Sequence, residues 1–213
     1  MTLGVFGGTF NPVHFAHLRV AEEVREALGL ARILWVPAAD PPHKRGDTAP
    51  VRHRLEMVRI ATATNPCFEV LDLELRRRGP SYTVDTLREL LERYPGAHLW
   101  FVIGTDAIEE IESWSRPDEV FEIASMAVVS RPGRPRVPLE TLLPRRLAAP
   151  FRVGPNGLEH QSGHELRLVP VSSLEISASD VRRRVERGAS IRYLIPEPVI
   201  EYIDKHQLYR ERA

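Results

Sequence analysis

Short apolar runs alternate with amphipathic stretches along the 213-residue chain, regularly enough to assign elements. Leu3 to Phe6 is apolar, with Val5 and Phe6 as β-formers, and it stops at Gly7-Gly8, the pattern of a buried strand whose backbone turns sharply. From Pro12 the apolar positions Val13, Ala16, Val20, Val24 and Ala27 recur at steps of three or four, which predicts a helix with Pro12 near its first turn. Ile33 to Val36 reads as a second strand. A polar, proline-rich loop follows, then a helix from about Val51 with Leu55 and Val58 inward, and a strand from Phe68 to Leu73. Thr83 is placed to cap a helix carrying Val84, Leu87, Leu90 and Leu91, Leu99 to Ile103 is a strongly apolar strand, and Met126 to Val129 forms another after a short helix.

The stretch from Arg131 to Gly163 is rich in proline, arginine and glycine and reads as a loop-rich excursion, with a short helix near Leu139 to Leu147 and no assigned chemistry. Order returns with a last strand at Leu166 to Val169. Ser177-Ala178-Ser179-Asp180 then fits a capping box before a helix containing Val181 and Val185. Strands separated by helices predict an α/β fold, a doubly wound parallel sheet with right-handed crossovers, here with a small helical C-terminal extension. Ligands of such sheets gather at the carboxyl ends of the strands, and Gly7, Pro37, Gly104 and Arg131 follow those ends. The length suits one domain over residues 1–213.

Composition narrows the function by exclusion. Lysine plus arginine equals aspartate plus glutamate at 29 each, the arginines are scattered and no aromatic-basic motif occurs, so neither nucleic acid nor a membrane surface is an expected partner. No basic-then-apolar leader and no apolar run of about 20 residues is present. The single cysteine, Cys67, cannot form an internal disulfide, so a reducing cytoplasm is the expected setting.

The chemistry concentrates in the first turn. A strand that feeds a helix across a glycine-rich loop exposes backbone N–H groups and the positive end of the helix dipole, and the bare Gly7 and Gly8 let an anion approach. Read this way the turn is a phosphate site, with His14 and His17, three apart, on one face of the first helical turn. On the loop alone, a common glycine turn with two solvated histidines accounts for the pattern equally well. A zinc pair lacks a third ligand at a typical spacing. G-x-x-x-x-G-K-[ST] and a G-x-G-x-x-G after the first strand are both missing, so a P-loop ATPase and a Rossmann dehydrogenase lose their main support.

GGTFNPVHFAH, from Gly7 to His17, is similar to the (G)GTFDPxHxGH signature of the nucleotidylyltransferases, and further matches make the resemblance closest to the bacterial nicotinate-nucleotide adenylyltransferase family. They are PPHK at Pro41 to Lys44, GPSYTVDTL at Gly79 to Leu87, IGTD at Ile103 to Asp106, Trp114, RPG at Arg131 to Gly133, ISASDVR at Ile176 to Arg182, and LIPEPVIEYIDKHQLYR at Leu194 to Arg210. Each alone is weak, but their order and spacing are specific and span nearly the whole chain. The resemblance implies a Rossmann-like nucleotidylyltransferase fold, with ATP and nicotinate mononucleotide as partners and magnesium as cofactor, in a monomer or small homo-oligomer. The sequence itself shows no carboxylate cluster for a protein-held ion, which fits magnesium bound through ATP phosphates and water.

The same resemblance implies the site. His14, His17, Lys44 and Arg182 would act on the reacting phosphates. Gly7, Gly8, Thr9, Phe10, His17, Gly104, Asp106, Ile176, Ser177 and Arg182 would bind ATP. Lys44, Ser81, Tyr82, Thr83 and Trp114 would bind the pyridine nucleotide, with amides at a helix start accepting the nicotinate carboxylate and the indole stacking on the ring. Taken without the family, Ser177 is a helix N-cap, Asp106 a cap, Trp114 a packing residue, Lys44 a solvated lysine and Arg182 to Arg184 a solvated helix face; Arg183 and Arg184 keep that role. Two departures stand in the signature: Ala16 replaces its glycine, adding a methyl near the expected adenine, and Asn11 replaces the commoner aspartate. Sister enzymes acting on nicotinamide mononucleotide or phosphopantetheine, and a nucleotide-binding regulator without turnover, are the competing expectations.

Overall fold

The computed structural model describes residues 1–40, 48–77, 79–130, 138–172 and 174–210. Eight strands form one sheet: β1 (Thr2–Gly8), β2 (Arg32–Pro37), β3 (Phe68–Val70), β4 (His98–Gly104), β5 (Ser125–Val129), β6 (Phe151–Gly154), β7 (Gly157–His160) and β8 (Glu165–Val169). Their order is β3-β2-β1-β4-β5-β8-β7-β6. The six from β3 to β8 pair in parallel, and β6 and β7 add an antiparallel hairpin at the far edge. This is the doubly wound sheet that alternation predicts.

Successive residues of the inner strands serve opposite faces, as the pleat requires. Leu34, Val36, Phe101, Ile103, Met126 and Val128 pack on one side with Val84, Leu87 and Leu90 of α4 (Thr83–Arg93), Ile108 of α5 (Thr105–Glu109) and Val120 of α6 (Pro117–Ile123). Ile33, Trp35, Trp100, Val102, Ala127 and Val129 pack on the other. Their partners there are Ala21 and Val24 of α1 (Phe15–Ala27), Met57 and Val58 of α2 (Val51–Thr62), Val181 of α9 (Ala178–Glu186) and Val199 and Ile203 of α10 (Glu197–Lys205). Three shorter helices complete the set: α3 (Leu73–Arg76), α7 (Leu139–Leu142) and α8 (Arg145–Ala148). Among the described residues no helix is long and apolar enough to cross a membrane.

Four local expectations change. The first helix begins at Phe15 with His14 as its N-cap, not at Pro12. The strand expected from Phe68 to Leu73 stops at Val70, because the chain turns there to bury Leu71 and start α3 with the buried Leu73. Tyr82 rather than Thr83 occupies the N-cap of α4. The 131–163 excursion carries more order than its composition suggests, with α7, α8 and the β6–β7 hairpin in it. That hairpin was hard to read because β6 is an edge strand with Arg152 and Val153 both exposed, which erases the alternating pattern. Residues 41–47 and 131–137 lie outside the described residues, so the PPHK and RPG matches, Lys44 included, receive no structural account.

Gly157 opens β7 at φ +150, and a Cβ there would fall 2.3 Å from the Leu166 carbonyl oxygen, so the hairpin approaches β8 only through glycine. Gly163→Ala, at φ +89 with open space around it, meets backbone strain alone. Gly157→Ala is therefore expected to lower stability by about 1–3 kcal/mol and by more than Gly163→Ala, measured as urea unfolding midpoints; equal losses would contradict the close approach.

Candidate active site

β1 is flanked by β2 on one side and β4 on the other, and the helices that follow β1 and β4 lie on opposite faces of the sheet. The two connections diverge and leave a crevice at the carboxyl ends of the strands, the place where open α/β sheets bind ligands. The loop leaving β1 is held by aromatic packing. A Cβ at Gly8 would fall 2.9 Å from the Phe10 ring, so the bare glycine is what lets that ring fold back over the strand end. Phe10 itself takes φ +45 and is buried, its ring 5.6 Å from Phe6, 5.3 Å from Trp35 and 5.2 Å from His17. The Phe10 side chain therefore belongs to the core, which leaves its main chain for any contact with ATP.

His14 and His17 come together more closely than their spacing alone requires. Their rings stack with centroids 3.6 Å apart, and the His14 main-chain N–H donates to His17 Nδ1 at 3.2 Å. Because His17 Nδ1 accepts, a neutral His17 carries its proton on Nε2, fixed in one tautomer as a donor. His14 is only 5% exposed, and its Nδ1 has no hydrogen-bond partner among the described residues. Burial pushes its pKa from 6.5 down to about 4, so His14 is an uncharged imidazole at neutral pH.

Beside the histidine loop lies a cleft of about 190 Å3, lined by Gly7, Gly8 and Thr9 from β1 and its loop, Ser81 and Thr83 from the start of α4, and Phe101 and Trp114. Trp114 follows a 3-10 turn at Ile111–Ser113, is half-buried, and meets Phe101 edge-on at 6.0 Å. The Ser81 amide is occupied, donating to the Asp40 carbonyl at 3.4 Å, so the amides at the opening of α4 are those of Tyr82 and Thr83. Tyr82 is itself exposed and outside the cleft lining.

On the other flank Ser177 caps α9, its Oγ accepting from the Asp180 N–H at 3.1 Å. Ile176 precedes it, half-buried against the core. Arg182 reaches across the sequence to the β1 loop, Nη1 donating to the Asn11 carbonyl at 2.9 Å, whereas Arg183 and Arg184 pair with Asp180 on the helix surface. Gly104 is the N-cap of α5, and Asp106 sits in that helix's first turn rather than at its cap.

Some of the supporting residues escape a reading of the sequence. Arg54 of α2 is 1% exposed and makes three bonds to main-chain carbonyls: Nη1 to Thr9 at 2.7 Å, Nε to Ala49 at 3.0 Å and Nη2 to Ala39 at 3.2 Å. The available signal was a cation three and four positions before Met57 and Val58, on the apolar stripe of its helix. Glu74 of α3 also lines the cleft, accepting from the Thr86 hydroxyl at 2.8 Å and the Ala39 N–H at 3.3 Å, which ties the end of β2 to α4. Nothing in its local sequence marks it.

With this geometry in view, the comparisons with known proteins are consistent in direction. The Cytidylyltransferase-like family profile matches residues 5–184. A Geobacter metallireducens protein named "Probable nicotinate-nucleotide adenylyltransferase" is 44% identical over 212 residues, covering 98% of each chain. A Syntrophotalea carbinolica protein of the same name is 45% identical over 215 residues, covering 100% of this chain and 99% of its own. Among solved structures, the Plasmodium falciparum nicotinic acid mononucleotide adenylyltransferase complexed with NaAD superposes with a TM-score of 0.76 at 21% identity, covering 98% of this chain and 97% of that one. At that identity the likeness shows the shared Rossmann-like nucleotidylyltransferase fold.

The depressed pKa of His14 has a measurable consequence. The unfolded chain binds this proton near pH 6.5 and the folded chain only near pH 4, so the stabilising contribution is complete above pH 6.5 and is lost as pH falls toward 4. His53, His98, His160 and His164 are shifted down too, so the whole protein is expected to weaken in acid. Between pH 7 and pH 4 the wild type should lose about 3 kcal/mol more than His14→Gln, read from urea unfolding at several pH values; parallel curves for the two proteins would contradict a buried neutral His14.

Proposed function

The chain belongs to the Cytidylyltransferase-like family and, within it, to the nicotinate-nucleotide adenylyltransferases, and we propose that it transfers the adenylyl group of ATP to nicotinate mononucleotide, giving nicotinate adenine dinucleotide and pyrophosphate in NAD biosynthesis. The observation that carries this is identity of about 44% along the full chain with proteins bearing that name. The stacked histidines, the Arg182 guanidinium and the tryptophan-lined cleft, all at one crevice, support it.

In this reading a phosphate oxygen of nicotinate mononucleotide attacks the α-phosphorus of ATP in line, and pyrophosphate leaves. The attacking oxygen is already ionised near neutral pH, so no strong base is required, and rate enhancement comes from positioning and from stabilising charge on the phosphates. His14 and His17 donate to those phosphates, His17 through the Nε2 proton that the His14 amide fixes. Arg182 presents its planar donors from the capped start of α9, and Lys44, seven positions after Pro37 in sequence, is assigned a phosphate contact by the family match alone. Gly7, Gly8, Thr9, the Phe10 main chain, Gly104, Asp106, Ile176 and Ser177 frame the ATP.

Nicotinate enters the cleft with its ring on Trp114 and its carboxylate at the amides of Tyr82 and Thr83, where charge favours the acid over the amide. A magnesium ion carried on the ATP phosphates would supply neutralisation of their charge, beside the Gly7, Gly8 and Thr9 main chain and the Arg182 guanidinium. A cytoplasmic setting for this reaction is in keeping with a single cysteine in the sequence and with ATP as a substrate.

Pyrophosphate release with ATP and magnesium, offering nicotinate mononucleotide, nicotinamide mononucleotide and phosphopantetheine separately, tests the assignment. Strong preference for the first, with the dinucleotide confirmed by mass, is the expected result. Preference for another acceptor would overturn the substrate, and no release from folded protein would leave a nucleotide-binding regulator. His14→Ala is expected to lower kcat about a hundredfold or more, as loss of one charge-stabilising donor does; turnover near normal would remove its role. Trp114→Ala should weaken the pyridine nucleotide and leave ATP binding nearly intact, measured by calorimetric titration of each ligand, and equal losses would refute ring stacking.

A further inference from the structure

The loop between β1 and α1 is gripped at four points. Arg54 donates to the Thr9 carbonyl, Arg182 to the Asn11 carbonyl, and the Asn11 side-chain oxygen accepts both the Tyr209 hydroxyl at 2.9 Å and the Ala49 N–H at 3.1 Å. Tyr209 stands 198 positions from Asn11 in sequence, in the segment that follows α10. We propose that Arg54 and Tyr209 are positioning residues for adenylyl transfer: from a neighbouring helix and from the C-terminal segment, they hold the Thr9–Asn11 backbone and the Arg182 contact in the geometry that phosphates require.

Several features separate this from ordinary packing. Arg54 is a buried cation whose hydrogen bonds to the Ala49, Thr9 and Ala39 carbonyls fix backbone, while its charge is favoured from a distance by Glu74 rather than by direct hydrogen bonding to a carboxylate among the described residues. A planar fork reaching the 9, 39 and 49 carbonyls at once sets the relative positions of three separate stretches, something a lysine ammonium at one point cannot do. Phe10 and Tyr209, the residues beside and opposite Asn11, both hold left-handed backbone, at φ +45 and +61. Bulky residues stay in that region only where the surroundings over-determine them, and such places cluster at functional sites. Burial also pushes the Tyr209 phenol pKa upward, which keeps it a proton donor across the working pH range.

This inference rests on the adenylyl-transfer reading, and the test separates the two. Tyr209→Phe keeps the ring and removes the hydroxyl. It is expected to lower kcat about fivefold to tenfold, leave KM for both nucleotides within about twofold, and speed amide hydrogen exchange over residues 9–14 in the unliganded protein by about threefold or more. Asn11→Asp, which keeps an oxygen acceptor, should retain more kcat than Asn11→Leu, and Arg54→Lys should lose kcat despite keeping its charge. A Tyr209→Phe enzyme with kcat within about twofold of wild type and unchanged exchange would overturn the proposal, as would a lower melting temperature as the sole change. Should the wild type transfer adenylate to no acceptor, the functional reading fails, and the exchange measurement decides this one alone: a loosened loop supports the grip, and an unchanged loop refutes it.

Discussion

A buried guanidinium must find an acceptor for its N–H groups or cost several kcal/mol, and Arg54 finds its acceptors in the main chain. Its bonds to Thr9, Ala39 and Ala49 join the ends of β1 and β2 to the start of α2, where the chain would otherwise diverge. The cleft wall inherits that order. Glu74 then links Ala39 to Thr86 of α4, so the strand ends and the helix that opens beside the cleft are parts of one hydrogen-bonded frame. Losing any member leaves another polar group buried without its partner, which is why such frames are rigid.

The sheet order supplies the room in which this frame acts. Because β1 lies between β2 and β4, helices on the two faces leave the crevice open at the carboxyl ends, and the residues bordering it come from distant parts of the chain. Electrostatics there is built from neutral and cationic donors. His14 is kept uncharged by burial, His17 is held in one tautomer by a main-chain N–H, and Arg182 brings a positive charge to Asn11. Stacked at 3.6 Å, two imidazoles would repel each other if both were protonated.

The opposite edge of the sheet follows a different logic. There β6 and β7 extend β8 as a hairpin, and the edge strand is blunted by short length and by Arg152, paired with Glu159. Its inner residues, Leu158 and Phe151, complete the core that α7 and α8 share with the sheet. This edge lies three strands beyond β5, far from the crevice in the sheet order.

What the sequence determined by itself is whatever depends on near neighbours: the alternation of strands and helices, the glycine turn after β1, the spacing that sets His14 and His17 on one face of the first helical turn, and the Ser177 cap. Periodicity and short-range hydrogen bonding act within a few residues, so they are legible in a string of letters. The resemblance of the ordered motifs named the candidate site residues. Tertiary structure decided the rest. Phe10 went to the core because Gly8 left space for its ring, Leu71 and Leu73 left the strand for α3, and the Arg131 to Gly163 stretch yielded a hairpin to the sheet. The grip of Arg54, Asn11 and Tyr209 spans up to 198 positions, and its members come from three separate stretches of the chain. No local pattern encodes such a contact, because its partner is chosen by how the sheet and helices pack rather than by what stands next in the chain.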